Sequence, residues 1–445
     1  MNKKLNYILN LKKKSKFILY LLVFIVIIFS TFFLIPKFFN YTPSLIQESL
    51  KKNSDINIKN ISSIDYNFFP TPRLSLLGGE LEFEGNFLEV KNAEINIILN
   101  PLSIINYKVI DYNTILVDGG SSNLAVNKVN QLFNYIKNNK KKINFKRNKI
   151  ILLRENKKLF EINESSAKFK TKKNTNQLNI NGYFIDHKIS FILENKPDNK
   201  FQILMKVPEL DISTNILLEN KNNFKKFQGL AKFEVLNNFF QFNLIKDKNI
   251  TINNGFVRSS LVNSAFEGNL SFKPYFSFNL ESELNTLDVN KLIKKIQQKY
   301  FLDNPLGDEL IKKMDGSIKF KNMFEGRLLF KNREILFQNF KVGKKDQIFF
   351  DAKISEFGKK AKIKFNLSKN IQKKNDSSKK IQLSGFLIPS SSKFIFERII
   401  FGEETFTVKK IKNYENKFNE EVVNSSIKNV FNKIKVNNFF KSFEN

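Results

Sequence analysis

Apolar and polar side chains alternate with a period of two through most of this 445-residue chain. One uncharged apolar run and four stretches of helical spacing interrupt the alternation. Clear examples are Ile56/Ile58, Leu74/Leu76, Leu81/Phe83 and Ala93/Ile95/Ile97/Leu99, the last set against Glu94 and Asn96. Ala231/Phe233/Val235, Phe240/Phe242/Leu244, Phe276/Phe278/Leu280 and Ala361/Ile363/Phe365/Leu367 repeat the pattern with Lys, Glu, Gln, Ser and Asn between them. Such spacing predicts strands with one oily and one wet face. Gly78-Gly79 and Gly119-Gly120 match neither phosphate-loop pattern and are expected to be tight hairpin turns.

Helical spacing appears first after Thr42-Pro43, an N-cap followed by a first-turn proline, through Leu45, Ile46 and Leu50. That helix is expected near a membrane surface. Val126, Val129, Leu132, Phe133 and Ile136 predict a second helix, and Asp288 caps a third, Val289 to Tyr300. Val422, Val423, Ile427, Val430, Phe431 and Ile434 predict a C-terminal amphipathic helix followed by Phe439-Phe440. Two placements fit it: docked on the end of the sheet, or in contact with a membrane. Ile371 to Lys380, rich in Lys, Asn and Ser, reads as an exposed loop.

Roughly eighteen strands at about 4.8 Å spacing would make an open sheet some 80 to 90 Å long. With few helices to cover its oily face, such a sheet must fold on itself as a sandwich, close into a barrel, or curve into a trough with an apolar interior. Period alone does not choose among them.

The apolar run, Phe17 to Ile35, carries no charge and has the length of a helix that crosses a hydrocarbon core of about 30 Å. Lys3, Lys4, Lys12, Lys13, Lys14 and Lys16 precede it, and Lys37 is the only basic residue for some distance after it. The positive-inside rule therefore puts the N-terminus in the cytoplasm and exports the rest. The exit, Phe32-Phe33-Leu34-Ile35-Pro36, lacks the small residues of a signal-peptide cleavage site, so an uncleaved anchor is expected.

Composition narrows the chemistry. There is no Cys, which excludes disulfides and thiolate sites, and the single histidine, His187, excludes multi-histidine metal centres. His187 follows Asp186 and is expected at a turn or an exposed strand position. The formal charge of +32 comes almost entirely from Lys spread along the chain, without clusters of Arg and aromatic residues, so nucleic acid is not an expected partner. The nearest acidic pairs, Glu403-Glu404 and Asp308-Glu309, are sequence neighbours that would point to opposite strand faces, so no enzymatic activity and no cofactor is expected.

Tyr66 to Leu81, YNFFPTPRLSLLGGEL, and Leu88 to Leu124, with Asn100-Pro101-Leu102 and Val117-Asp118-Gly119-Gly120, resemble the N-terminal region of AsmA-like proteins. Phe266 to Ile293 and the Gly-led strands from Gly316 resemble that family's C-terminal part. The resemblance implies a single-pass inner-membrane protein of a Gram-negative envelope whose bulk is periplasmic. The expected fold is mainly β: an N-terminal transmembrane helix, then an elongated, curved antiparallel β-sheet groove with a few flanking helices.

The expected layout is a basic cytoplasmic tail (1–16), a membrane helix (17–36), an N-terminal AsmA-like β region (37–140), an extended β-groove with a helix near 288–300 (141–410), and a C-terminal amphipathic helix (411–445). The implied function is to bind or conduct phospholipid acyl chains in support of lipid transport and outer-membrane biogenesis. Partners would be the inner membrane, phospholipid and outer-membrane or envelope assembly proteins. Phe83, Ile95, Ile97, Phe233, Phe242, Phe276, Phe278, Phe320 and Phe365 are the candidate groove lining, and Lys12, Lys13, Lys14 and Lys16 flank the membrane. The alternative is a non-enzymatic assembly factor that binds outer-membrane proteins by pairing with strand edges.

Overall fold

The computed structural model describes residues 2–102, 104, 106, 108–171, 175–221, 224–235, 237–247, 249–271, 276–288, 291, 312–342, 347–355, 362–371, 379–388, 391–424, 429–430 and 433–443, with side chains from residue 16 apart from 342 and 433. The chain is mainly β. Among the described residues 27 strands belong to one sheet that does not close, joined by an N-terminal apolar helix and a few further helices. Two compact units divide it, residues 1–184 with 190–197, and residues 185–189 with 198–445.

The first unit begins with α1 (Asn2–Leu34). Residues Lys16–Phe38 within and just after it are long and apolar enough to cross a membrane. A 3-10 turn, Ile35–Phe38, leads to α2 (Pro43–Ser54), whose Thr42 cap accepts the Leu45 N–H and whose Pro43 starts the first turn. Asp55, in the left-handed region, ends this helix.

Eight short strands follow: β1 (Ile56–Lys59), β2 (Ser63–Asn67), β3 (Arg73–Leu77), β4 (Glu80–Phe83), β5 (Leu88–Lys91), β6 (Glu94–Leu99), β7 (Tyr112–Asp118) and β8 (Ser121–Ala125). Their pairing corrects the hairpin expectation at both glycine pairs. β3 pairs with β2 and β6, and β4 pairs with β1 and β5, so Gly78-Gly79 does not join partners. Likewise β7 pairs with β6 and β8 with β5.

These are four long strands, each antiparallel to the next and each broken halfway. The breaks line up: Asn60, Gly78, Asn92, Gly119 and Gly120 all have positive φ, and so does Arg147 in the next strand, β9 (Lys142–Arg154), which runs parallel to both β7 and β8. A crease therefore crosses the strands, and the left-handed backbone it requires is what Gly and Asn supply at least cost. Splitting four long strands into eight also accounts for part of the shortfall between the roughly eighteen strands expected and the 27 described.

Helix α3 (Val129–Asn138) connects β8 to β9 and covers the apolar face. Tyr135 packs its ring 5.2 Å from Phe83 and 5.3 Å from Phe87, and 5.6 Å from Phe169 in β10 (Lys157–Thr171). Its hydroxyl donates to the Ser54 carbonyl of α2. The hydroxyls of Ser54 and Tyr112 hydrogen-bond each other at 2.5 Å, and Ser49 donates to the Ile110 carbonyl. Ile46, Leu50, Phe83, Ile95 and Ile97 are fully enclosed, each contributing about 1.5 to 3 kcal/mol by burial.

The second unit carries β13 (Lys200–Val207), β14 (Ile212–Lys221), β15 (Lys226–Val235), β16 (Asn238–Lys246), β17 (Ile250–Arg258), β18 (Val262–Ser271) and β19 (Phe276–Leu287), each antiparallel to the next. β20 (Met314–Asn322) then runs parallel to β19. The helix expected over Asp288 to Tyr300 in this crossover lies outside the described residues, apart from its start, where Asp288 Oδ1 accepts the Lys291 N–H at 3.0 Å. Antiparallel pairing resumes through β21 (Glu325–Lys331), β22 (Glu334–Val342), β23 (Ile348–Ile354), β24 (Ile363–Ile371), β25 (Lys379–Ile388) and β26 (Lys393–Phe401). Most of the expected loop after Ile371 is outside the described residues. His187 follows a turn at Ile185-Asp186, and its Nδ1 lies 2.9 Å from Glu209 Oε2.

The C-terminus departs from the single helix expected. Helix α4 (Val408–Lys417), capped by Thr407, continues into a π-helical turn, Phe418–Val423, and stops at Asn424, which is left-handed. A separate helix, α5 (Lys433–Lys441), follows. Val422, Val423, Val436, Phe439 and Phe440 are buried against Phe365, Phe394 and Phe396 of the sheet, so these helices dock on it, the first of the two placements.

Candidate functional site

Register places one continuous row of apolar residues on a single face of the second unit. Phe201, Ile203 and Met205 of β13 stand opposite Leu218, Ile216 and Thr214 of β14; Ile216 and Thr214 stand opposite Ala231 and Phe233 of β15; and these stand opposite Phe242 and Phe240 of β16. The row continues through Phe266 and Leu270 of β18, Phe278 and Leu280 of β19, Ile318 and Phe320 of β20, Leu328 and Phe330 of β21, and Phe337 of β22. Period-two geometry produces most of this row, and β-bulges at Gln241/Asn243 and Ile252/Gly255 shift the register where it crosses β17.

What distinguishes the row is its coverage. Phe233, Phe240, Phe266, Phe276, Leu280, Ile318, Phe320, Leu328, Phe330 and Phe337 all keep part of their surface in the open. Among the described residues no helix lies on them. Ring contacts organise the face into patches. Phe233 stacks on Phe242 at 5.5 Å, and Phe242 meets Phe266 at 5.8 Å. Phe278 touches Phe276 at 5.8 Å and Phe330 at 5.3 Å, and Phe320 lies 5.9 Å from Phe340. Phe278 lies over Gly316, where a Cβ would come within 2.7 Å of its ring, so the glycine is what lets the aromatic ring lie flat on the neighbouring strand.

The few polar groups on this face satisfy one another. Ser264 and Ser282 hydroxyls are 2.7 Å apart, and Ser264 also bonds the Glu283 carbonyl. One cation stands at its border, Lys246, 5.6 Å above the Phe227 ring, with its pKa lowered by burial. The opposite face is ionic: Glu281 bonds Lys321 at 2.5 Å and faces Lys319 at 3.6 Å, and their charges hold its carboxyl below the usual range. An open depression of about 510 Å³ also lies over the bulge at Phe337–Phe340. Polar-face residues Gln338, Asp351, Lys353 and Lys364 line much of it, and Asp351 is already engaged by the Asn339 N–H at 2.7 Å.

The sequence-derived lining thus falls into three groups. Phe233, Phe242, Phe276, Phe278 and Phe320 lie on the same face, the first two in contact with each other and the next two likewise; Phe233, Phe276 and Phe320 are partly exposed, and Phe242 and Phe278 are buried beneath their neighbours. Phe365 belongs to the closed C-terminal core, 5.3 Å from Phe394 and 6.0 Å from Phe396. Phe83, Ile95 and Ile97 lie in the first unit with no exposed surface, because α2 and α3 cover that part of the sheet; none of the three has surface left for a ligand in this structure. Of the flanking lysines, Lys16 is exposed at the start of the apolar span, and the side chains of Lys12, Lys13 and Lys14 lie outside the described ones.

Phe266, Phe330 and Phe337 join the face without having been singled out, and Phe240, read on the apolar face of its strand, joins it beside Phe242. For two of them the signal was available as a Phe two residues from the previous apolar position, as in Leu328-Leu329-Phe330 and Ile335-Leu336-Phe337. Compared with protein-family models, curated proteins and solved structures, the chain matches none of them.

Proposed function

We propose that this protein is anchored in a membrane by α1 and holds lipid acyl chains against the open apolar face of β13 to β22. One observation carries the reading: an in-register row of Phe, Leu and Ile runs across these strands with most of its members partly exposed, while the same pattern is closed around Phe83, Ile95 and Ile97 and around Phe365. Monomeric proteins seldom leave such a row to water. An acyl chain suits it, since each buried CH₂ contributes about 0.8 kcal/mol and no directed polar contact is needed. The resemblance to AsmA-like proteins points the same way. In this reading the protein is non-enzymatic and needs no cofactor, the lysines before α1 keep the N-terminus in the cytoplasm, and the sheet stands in the periplasm of a Gram-negative cell, where it supports lipid transport and outer-membrane biogenesis.

A photocrosslinking residue at Phe233 or Phe320 should capture phospholipid in cells, and one at Phe83 should not. Lipid-free protein adducts from Phe233 and Phe320 would assign the face to a protein partner instead.

A further inference from the structure

Outside the apolar span, several of the large apolar side chains that the described chain exposes gather at one end of the first unit. Phe68 and Phe69 are 49% and 75% exposed, and Leu102 and Val109 are 90% and 58% exposed. The two loops that carry them are neighbours. Residues 68–72 join β2 to β3 and residues 100–111 join β6 to β7; Arg73 pairs with Ile98, and the Leu99 N–H donates to the Pro72 carbonyl at 2.9 Å. The first loop and both ends of the second are held by hydrogen bonds. Arg73 Nη1 donates to the Phe69 carbonyl at 2.6 Å, Asn100 bonds both the backbone and the carboxylate of Asp111, and Ser49 of α2 donates to the Ile110 carbonyl.

The apolar helix is fastened to this same end. Tyr66, the last residue but one of β2, donates its hydroxyl to the Phe33 carbonyl of α1 at 2.8 Å. Its ring stacks on Tyr41 at 6.4 Å, and Pro36 is buried in the joint. Phe33 lies within the apolar span that ends at Phe38, roughly 8 Å short of that end at 1.5 to 2 Å per residue. Phe68 and Phe69 follow Tyr66 by two and three residues, so they lie within about 10 Å of that depth. That range takes in the boundary between headgroups and acyl chains, where amphipathic structures seat. Tyr41 and Tyr66 stand where an aromatic belt stands, and Lys37 at the end of the apolar span and Lys108 in the second loop are exposed, suited to anionic headgroups.

We infer that loops 68–72 and 100–111 insert Phe68, Phe69, Leu102 and Val109 into the leaflet from which α1 emerges, seating this end of the sheet in the lipid. The inference rests on α1 being membrane-embedded, as proposed above, and adds a second, independent membrane contact.

The chain contains no Trp, so single substitutions report one position each. Full-length Phe69→Trp, Leu102→Trp, Leu77→Trp and Phe24→Trp would be reconstituted in phosphatidylcholine–phosphatidylglycerol vesicles, with and without brominated acyl chains. Leu77 is the control, exposed like Phe68 but at the other end of β3 from Arg73. The expected result is blue-shifted emission with loss of intensity to the brominated chains at Phe69→Trp, Leu102→Trp and Phe24→Trp, and neither at Leu77→Trp. Quenching at Phe24→Trp with none at the two loop positions overturns the insertion and leaves the anchor standing. Equal quenching at Leu77→Trp overturns it as well, and no quenching at Phe24→Trp removes the anchor and the insertion together.

Discussion

Phe83 and Phe320 are both strand phenylalanines on an apolar face, yet Phe83 is sealed beneath Tyr135, Phe87 and Phe169 while Phe320 is partly open to solvent. The strands around them alternate in the same way. The difference lies in what covers them: α2 and α3 close the sheet over Phe83, and among the described residues no α-helix packs extensively on β13 to β22. Phe365 shows the same contrast within the second unit, because α4, the π-helical turn and α5 close the sheet over it. Alternation decides which face is apolar; the chain segments between strands decide whether that face becomes a core or a surface.

The strongest way to break this comparison is to put a charge on each face. Phe83→Asp and Phe365→Asp bury an unpaired carboxylate and should cost about 4 kcal/mol or more, enough to lose the cooperative thermal transition of the unit concerned. Phe320→Asp and Phe233→Asp can turn the charge toward water and should cost under about 1.5 kcal/mol while abolishing lipid capture. Equal destabilisation at all four positions in thermal melts would erase the distinction between closed and open faces.

The C-terminal cap offers a second, intermediate test. Phe439 packs 4.8 Å from Phe418 and 5.4 Å from Phe443, and is 1% exposed. Phe439→Ala should cost about 3 kcal/mol, measured by denaturant midpoint, because it opens a cavity in a filled core. Phe330→Ala, on the open face, should cost clearly less. Similar losses at both would mean that the middle strands are packed as tightly as the end.

The smallest effect concerns the charges. Glu161 of β10 is bonded by Lys158 and lies 3.0 Å from Lys149, and these cations bring its pKa down to about 2. Because the folded value lies below the ordinary 4.5, the pair stabilises above that ordinary value and its contribution fades as pH falls toward 2. Glu161→Gln should therefore cost roughly 0.2 to 1 kcal/mol at neutral pH and nothing near pH 2. A pH-independent loss in paired melts would show that packing around the side chain, and not its charge, matters there.

Much of the architecture was readable locally. The span beginning at Lys16, the Thr42-Pro43 start of α2 and the strands carrying Phe233, Phe242, Phe278 and Phe365 depend on residues within a few positions of one another, and each forms as the pattern requires. Gly78-Gly79 and Gly119-Gly120 were legible as places needing positive φ, but not as a crease. A hairpin and a kink demand the same backbone locally and differ only in which distant strand pairs on either side.

The sequence by itself determined the apolar span, the period of two and the face to which each Phe belongs, because these follow from side-chain chemistry and the fixed geometry of helix and strand. Only the tertiary structure decided that Phe83, Ile95 and Ile97 are core, that Phe365 is capped by the C-terminal helices, and that Phe233 and Phe320 remain open. Coverage depends on where α2, α3 and α5 come to rest against strands far away in the chain, and no local period encodes that distance.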